Sequence, residues 1–463
     1  MKKILSFLLA LSLVFGSFAF CFAEGLDSSR LYTNCFLVED LITGEVLAEK
    51  NADEPMYIAS LTKMMTALVA MDYIRQNNIA MSEKIVTDDD CLGLYDSFPI
   101  KANESYTWED AINLLLVKSV NGLGVAIAKA VAGTEETFCS FMNTKAKELG
   151  CTDTHFANAH GLDDDKHWST ARDLSIIATE LMKDEYLASV VAQESYDYSA
   201  TNKQGAGTVY NTNALLSSTQ MIYVGNEKRE IKYTNANILG VKTGTEDKAG
   251  NCLIAAAEKD GTKILVVILK SGNSTFERYA DAHMMLDWAF NNFKTVKLAS
   301  KGDVLGTVKV KKGEFNKVAA VVSEDIYVTL PKEAASSAVT LDTTLSTVVK
   351  APFESEFYLG EIAVMESGER TMTLAAVSQT EIEEGGFLSN FYIEDARAEK
   401  IFKVLRIIIL IMLILVAVLL IVRAYNKQQA KKRKAAKAKR KAQLEAQKRK
   451  EWNERYDQDH DRL

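Results

Sequence analysis

A chain of 463 residues, 48% hydrophobic and 25% charged, is long enough to bury two cores and still carry appendages. Its net charge of −8 is unevenly placed: residues 401–463 hold 17 Lys/Arg against 6 Asp/Glu, which leaves 24–400 near about −21. A body this acidic repels phosphates and argues against nucleic acid as a partner. No C-x-x-C pair and no helical H-x-x-x-H spacing occurs, which argues against a disulfide framework and a metal site.

In chain order, Lys2 and Lys3 precede an apolar run from Ile4 to Phe20, and Cys21-Phe22-Ala23 follows. This reads as a signal peptide over 1–23, cut near Ala23; the alternative is an uncleaved anchor helix. Cys35, Cys91, Cys139, Cys151 and Cys252 then remain, and buried free thiols are expected. Phe36–Glu49 reads as two short strands around a Thr43-Gly44 turn. Ser60–Ile74 reads as a helix that is apolar around most of its circumference, hence buried. Thr107–Ala132 reads as helical with a break at Asn121-Gly122. Glu135–Gly150 and Ser169–Lys183 read as amphipathic helices, with Gly150 at the C-terminal end of one and Ser169 as N-cap of the other. Leu253–Ala257 and Ile264–Leu269 suggest a hairpin, and Phe276–Phe293 a closing helix.

From Val296 to Asp395 the helical period fades. Short alternating runs such as Thr307–Val310, Ile326–Leu330 and Thr371–Ala375 suggest a small all-β domain. Ile401–Val422 is then long and apolar enough to span a bilayer, and the cluster from Arg423 to Lys441 predicts an inside tail and an outside body. The tail, 423–463, reads as a solvated helix or as disordered. The expected division is 1–23, 24–294, 295–396, 401–422 and 423–463.

Ser60-Leu61-Thr62-Lys63 places a serine and a lysine on one face of the buried helix. A lysine can activate a serine only when part of it is neutral, and burial or a second cation lowers its pKa. Ser60 is the only serine with lysine three residues on. Ser119-Val120-Asn121 puts a hydroxyl and an amide at a helix break. Lys242-Thr243-Gly244, the only such triplet, precedes a strand-like segment and offers a cation and a hydroxyl to a carboxylate. Ser271-Gly272-Asn273 also matches S-x-N but reads as a turn. His160 and His167, seven apart in a Gly/Asp-rich loop, read as no metal site.

The ordered set S-x-x-K, S-x-N, K-T-G resembles that of penicillin-recognising serine enzymes, here the low-molecular-mass penicillin-binding proteins of the D-Ala-D-Ala carboxypeptidase type. The text Leu41–Leu47, Ala59–Thr66, Phe156–Leu162, His167–Leu174 and Ala249-Gly250 also looks like that family, and coverage runs from about residue 30 to 395. The resemblance implies an α/β (α+β) fold: a β-lactamase/transpeptidase-like catalytic domain, an antiparallel sheet with helices, followed by a small all-β domain and a transmembrane helix. It implies Ser60 as nucleophile, Lys63 as base and Ser119 as proton relay. Asn121, Lys242, Thr243, Gly244 and Thr245 would bind substrate, and the Ser60 and Thr245 N–H groups would form an oxyanion hole. Peptidoglycan stem peptides and β-lactams are the implied ligands, with no metal or organic cofactor. The sequence departs from the family at Gly122, usually aspartate, at Val120, usually small, and at Glu246, usually threonine. Ser217–Gly240 also looks longer than in many relatives. The departures raise a second reading, a non-catalytic penicillin-binding receptor or scaffold with a signalling tail. An endopeptidase or β-lactamase is a third.

Overall fold

Strands whose side chains are apolar on both faces need cover on both faces, and the first sheet obtains it. In a computed structural model that describes residues 25–460 apart from Ser367, the chain divides into two compact units. The signal-peptide reading lies outside the described residues. The first unit runs to Ser300 and takes in Asp325–Thr340 and Glu366–Gly368. Its centre is a five-stranded antiparallel sheet of β1 (Cys35–Asp40), β2 (Val46–Lys50), β3 (Asn237–Glu246), β4 (Gly250–Lys259) and β5 (Thr262–Leu269), in the order β2-β1-β5-β4-β3. The hairpin expected around Thr43-Gly44 joins β1 to β2, and Gly44 takes the left-handed backbone (φ 73°) that the turn requires.

Alternate residues of the central strands enter two different cores. Leu37, Ile254, Ala256, Leu265 and Val267 face α1 (Lys63–Gln76), α3 (Asn121–Ala132), α4 (Glu135–Glu148) and α5 (Ala171–Lys183). Val38, Leu253, Ala255, Val266 and Ile268 face α7 (Glu277–Asn292) through Tyr279, Met285 and Leu286. The label α2 is given to Trp108–Asn113 and α6 to Glu185–Val191. Helix α1 is deeply enclosed: Met64, Met65, Ala67 and Ala70 are wholly buried. At about 25 cal/mol per Å², a helix apolar on all sides is stable only inside such a core.

The strand β6 (Phe293–Ala299) follows α7 and pairs with β9 (Ile326–Pro331) within the first unit. The second unit holds β7 (Val304–Lys311), β8 (Lys317–Val322), β10 (Val339–Leu345), β11 (Val348–Lys350), β12 (Tyr358–Glu366) and β13 (Glu369–Ser378) as one six-stranded sheet, for the most part. Val308, Val310, Val318, Leu359 and Ile382 form its core. The chain ends in α8 (Asp395–His460), a continuous 66-residue helix. Its segment 407–422 is apolar all round and exposed, with Ile421 at 68%. That surface is long and apolar enough to cross a membrane. The basic stretch beyond it continues the helix.

Two local expectations differ from the structure. Thr170, not Ser169, caps α5, accepting the Asp173 N–H (3.0 Å). Ser169 is held extended by a bridge to Met56, so its neighbour takes the capping role. Lys242-Thr243-Gly244 lies within β3 rather than before it, because pairing with β4 continues to Glu246.

Candidate active site

The sequence around Ser60 folds as a 3-10 turn, Ala59–Thr62, that runs into α1. Ala59 sits at φ +50°, a conformation L-residues adopt only when their surroundings impose it. Three contacts do so. The Thr62 hydroxyl donates to the Ala59 carbonyl (2.8 Å). His167 Nε2 lies 2.7 Å from that hydroxyl, while His167 Nδ1 accepts the Ala157 N–H (3.1 Å). The ring therefore carries its proton on Nε2 and donates it to Thr62. Burial pulls the His167 pKa to about 4, so this tautomer persists at neutral pH. Gly161 (φ +92°) completes the clamp, since a Cβ there would overlap the Ala59 carbonyl.

Lys63 is fully buried one turn along. Its Nζ lies 2.8 Å from Ser60 Oγ, 2.6 Å from Asn121 Oδ1 and 2.6 Å from the His160 carbonyl oxygen. An ammonium donates to all three. A neutral amine has two protons and one lone pair, and the two carbonyl oxygens can only accept. Those oxygens therefore take both amine protons, and the lone pair is left facing Ser60. Burial lowers the Lys63 pKa to about 7, opposed by the negative charges of Asp96 and Glu246. A large share of the protein thus holds this lysine neutral near pH 7.

Ser119 occupies a left-handed turn (φ 65°) between a π-helical stretch, Leu114–Lys118, and the start of α3 at Asn121. The break expected in this helix is therefore present, two residues earlier than Asn121-Gly122. Irregular turns of this type cluster at functional sites. The Ser119 hydroxyl is not among the three groups on Lys63 Nζ. Asn121 is oriented by donating its Nδ2 proton to the Leu94 carbonyl (2.6 Å), which leaves Oδ1 for Lys63.

Edge strand β3 forms the facing wall. A Cβ on Gly244 would come within 3.3 Å of the Ser60 nitrogen, so the strand passes close to Ser60 because residue 244 has no side chain. Lys242 is 1% exposed and donates to the Thr243 carbonyl (3.1 Å). Its pKa is well below the usual value through burial, then repulsion from Lys63 and Arg278. The two buried lysines therefore compete for protons. The Thr243 hydroxyl donates to Thr212 Oγ1 (2.7 Å), and that of Thr245 to the Gly244 carbonyl (2.8 Å). Glu246 is pushed up by partial burial and by Asp163, against the pull of Lys63.

The structure thus brings Ser60, Lys63 and Asn121 into direct contact and sets Lys242, Thr243, Gly244 and Thr245 along the strand beside them. It also adds groups that the motifs do not contain. Arg278 of α7, 7% exposed, donates through Nη1 to the Gly244 carbonyl (2.9 Å), to Thr245 Oγ1 (2.8 Å) and to the Cys252 carbonyl (3.3 Å). The His160 carbonyl and Asp96 are the others. His160 itself is neutral, its pKa drawn to about 3 by burial, with Nδ1 accepting the Leu162 N–H (3.1 Å). The five cysteines among the described residues are buried free thiols, as expected.

The model of the D-alanyl-D-alanine carboxypeptidase family matches residues 26–273, the part of the chain that contains every group on Lys63. The chain belongs to this family. A second model, the penicillin-binding protein 5 C-terminal domain, matches residues 293–384. D-alanyl-D-alanine carboxypeptidase DacF of Bacillus subtilis is 30% identical over 84% of this chain and 97% of its own length. DacC of Escherichia coli is 26% identical over 82% and 91%. In fold, penicillin binding protein 5 from Haemophilus influenzae superposes with a TM-score of 0.64 at 24% identity, covering 76% of this chain and 98% of its own. The chain is a serine-type D-Ala-D-Ala carboxypeptidase, and these relatives do not favour the receptor, endopeptidase or β-lactamase readings. The carboxypeptidase fold is the transpeptidase-like domain followed by a β domain and the apolar helix.

Proposed function

We propose that this carboxypeptidase removes the terminal D-alanine from peptidoglycan stem pentapeptides through an acyl-enzyme on Ser60. The observation that carries the reading is the Lys63 amine, whose lone pair faces only a serine hydroxyl. Lys63 takes the Ser60 proton as Oγ attacks the carbonyl of the penultimate D-Ala. The N–H groups of Ser60 and Thr245 receive the developing oxyanion. Ser119, two residues before Asn121, relays a proton to the departing D-Ala amine. Asn121 holds the substrate amide. Lys242 and Thr243 meet the terminal carboxylate, and Arg278 adds a fixed positive charge at the same end of β3. Water then frees Ser60. A β-lactam presents a strained amide to the same serine and acylates it.

The apolar segment 401–422 is the anchor in this reading. The basic residues beyond it keep the tail, 423–463, cytoplasmic and the catalytic domain, 24–294, outside the cell membrane on a single span. Residues 295–396 form the accessory β domain. The test is D-Ala release from a pentapeptide ending in D-Ala-D-Ala, by the full-length protein in detergent. Wild type should release D-Ala and Ser60→Ala should not; equal release by both would refute the assignment.

The charges around Lys63 make a signed pH prediction. The acid limb of kcat/KM should lie near pH 7, where Lys63 deprotonates. Glu246→Gln removes a negative charge that raises the Lys63 pKa, so the limb should move to lower pH. An acid limb that stays in place or moves to higher pH in Glu246→Gln would contradict this electrostatic assignment.

A further inference from the structure

The first N–H groups of any helix lack partners within the helix. At α3 the N-cap is Val120, whose side chain makes no capping hydrogen bond. The missing acceptor arrives from another segment. Asp96 Oδ1 accepts the Asn121 N–H (2.5 Å) and Asp96 Oδ2 accepts the Gly122 N–H (2.9 Å). Two residues earlier, the Leu94 carbonyl holds the Asn121 side-chain amide. One stretch of loop, 94–96, thus fixes both the backbone and the side chain of the residue whose Oδ1 meets Lys63 Nζ. The helix cannot provide such a carboxylate at position 122. A Cβ there would overlap the Cys91 carbonyl and come within 3.3 Å of Asp96 Oδ2. The loop is also tied to the same helix farther along, where Lys129 pairs with Asp88 (2.5 Å) and with Asp90.

We propose that Asp96 is a positioning residue for this reaction: it caps α3 from outside the helix and so holds Asn121 against the lysine base. The proposal rests on the reading of Ser60 and Lys63 given above. Asp96 carries out no bond making or breaking. It acts through the Asn121 amide and, as a second effect, through its charge on Lys63. The other ionisable groups facing Lys63 are Glu246 and Lys242 from β3 and the neutral rings of His160 and His167. Glu246 and Lys242 stay in place when Asp96 alone is changed.

The test is the rate of Ser60 acylation by a reporter penicillin against pH, in the full-length protein in detergent, with Ser60→Ala as blank. Asp96→Asn leaves one cap acceptor and no charge. It should lower the rate by about 10–100-fold and move the acid limb to lower pH. Asp96→Glu keeps the charge but displaces it by one methylene, so the rate should fall while the limb stays put. Asp88→Asn, a control on the same loop, should change neither by more than about twofold. A wild-type rate and limb in Asp96→Asn would overturn the assignment, and so would an identical loss in Asp88→Asn. If Asp96→Asn fails to fold, Asp96→Glu decides alone: a limb that moves, or an unchanged rate, overturns it. Wild type that is not acylated at Ser60 would overturn the underlying reading as well, which separates the two failures.

Discussion

Lys63→Met is expected to lower Ser60 acylation by about 10²–10⁴-fold while leaving the protein folded. Methionine approximates the volume of the lysine stem, so the wholly buried site stays filled. What it lacks is the lone pair. The Asn121 Oδ1 and the His160 carbonyl lose their donor, which costs roughly 1–3 kcal/mol for each group left unpaired. Removing the buried amine offsets part of that, because an amine so desolvated is itself costly. Thermal unfolding and acylation rate therefore separate cleanly: a modest change in Tm beside a near-total loss of acylation. Acylation at the wild-type rate would show that some other group accepts the Ser60 proton.

Gly161→Ala is expected to be nearly as damaging to acylation, although residue 161 has no side chain to act in the reaction. Its new methyl would overlap the Ala59 carbonyl, and φ +92° disfavours any L-residue. Overpacking of this type costs about 1–3 kcal/mol in stability. The larger effect falls on Ser60, which follows Ala59 directly. Relief requires the 3-10 turn to move, and a shift near 1 Å at a reacting atom costs about 10²-fold. Denaturant midpoints and acylation rates of the variant test this. Intact acylation would mean that the turn is not held by Gly161.

The parts legible in the sequence were those set by short spacing. Ser60 and Lys63 lie three apart on one face, and Ser119 lies two before Asn121 at a helix break, so these groups could be placed from local text; the Lys242-Thr243-Gly244 triplet reads as preceding a strand but lies within one. The burial of α1 followed from apolar residues on every side of it. The supporting groups were not legible in the motifs. Asp96 reaches Asn121 across 25 positions, and the His160 carbonyl reaches Lys63 across 97. A backbone carbonyl has no residue-type signature, and an aspartate in a polar loop looks like any other. Arg278 is similar: on α7 it reads as a helical cation, and only the packing of α7 beneath the sheet delivers it to Gly244 and Thr245. The capping of α5 by Thr170 rather than Ser169 has a related cause. Two adjacent hydroxyls compete for one role, and the pairing of Ser169 with Met56 decides between them from a distance.

The departures at Gly122 and Glu246 acquire physical meanings of their own. Gly122 leaves room for the Cys91 carbonyl and for Asp96, which supplies a carboxylate at the start of α3. Glu246 holds a negative charge close enough to Lys63 to raise its pKa. Neither removes a group from the Ser60–Lys63–Asn121 contact.

The most direct measurement is peptide mapping by mass spectrometry after a rapid acid quench of the full-length protein with a peptide ending in D-Ala-D-Ala. The account predicts one acyl group, the peptide less its last D-alanine, on the fragment carrying Ser60, with matching D-Ala release and no adduct in Ser60→Ala. An acyl group on another residue, or D-Ala release that persists in Ser60→Ala, would contradict it.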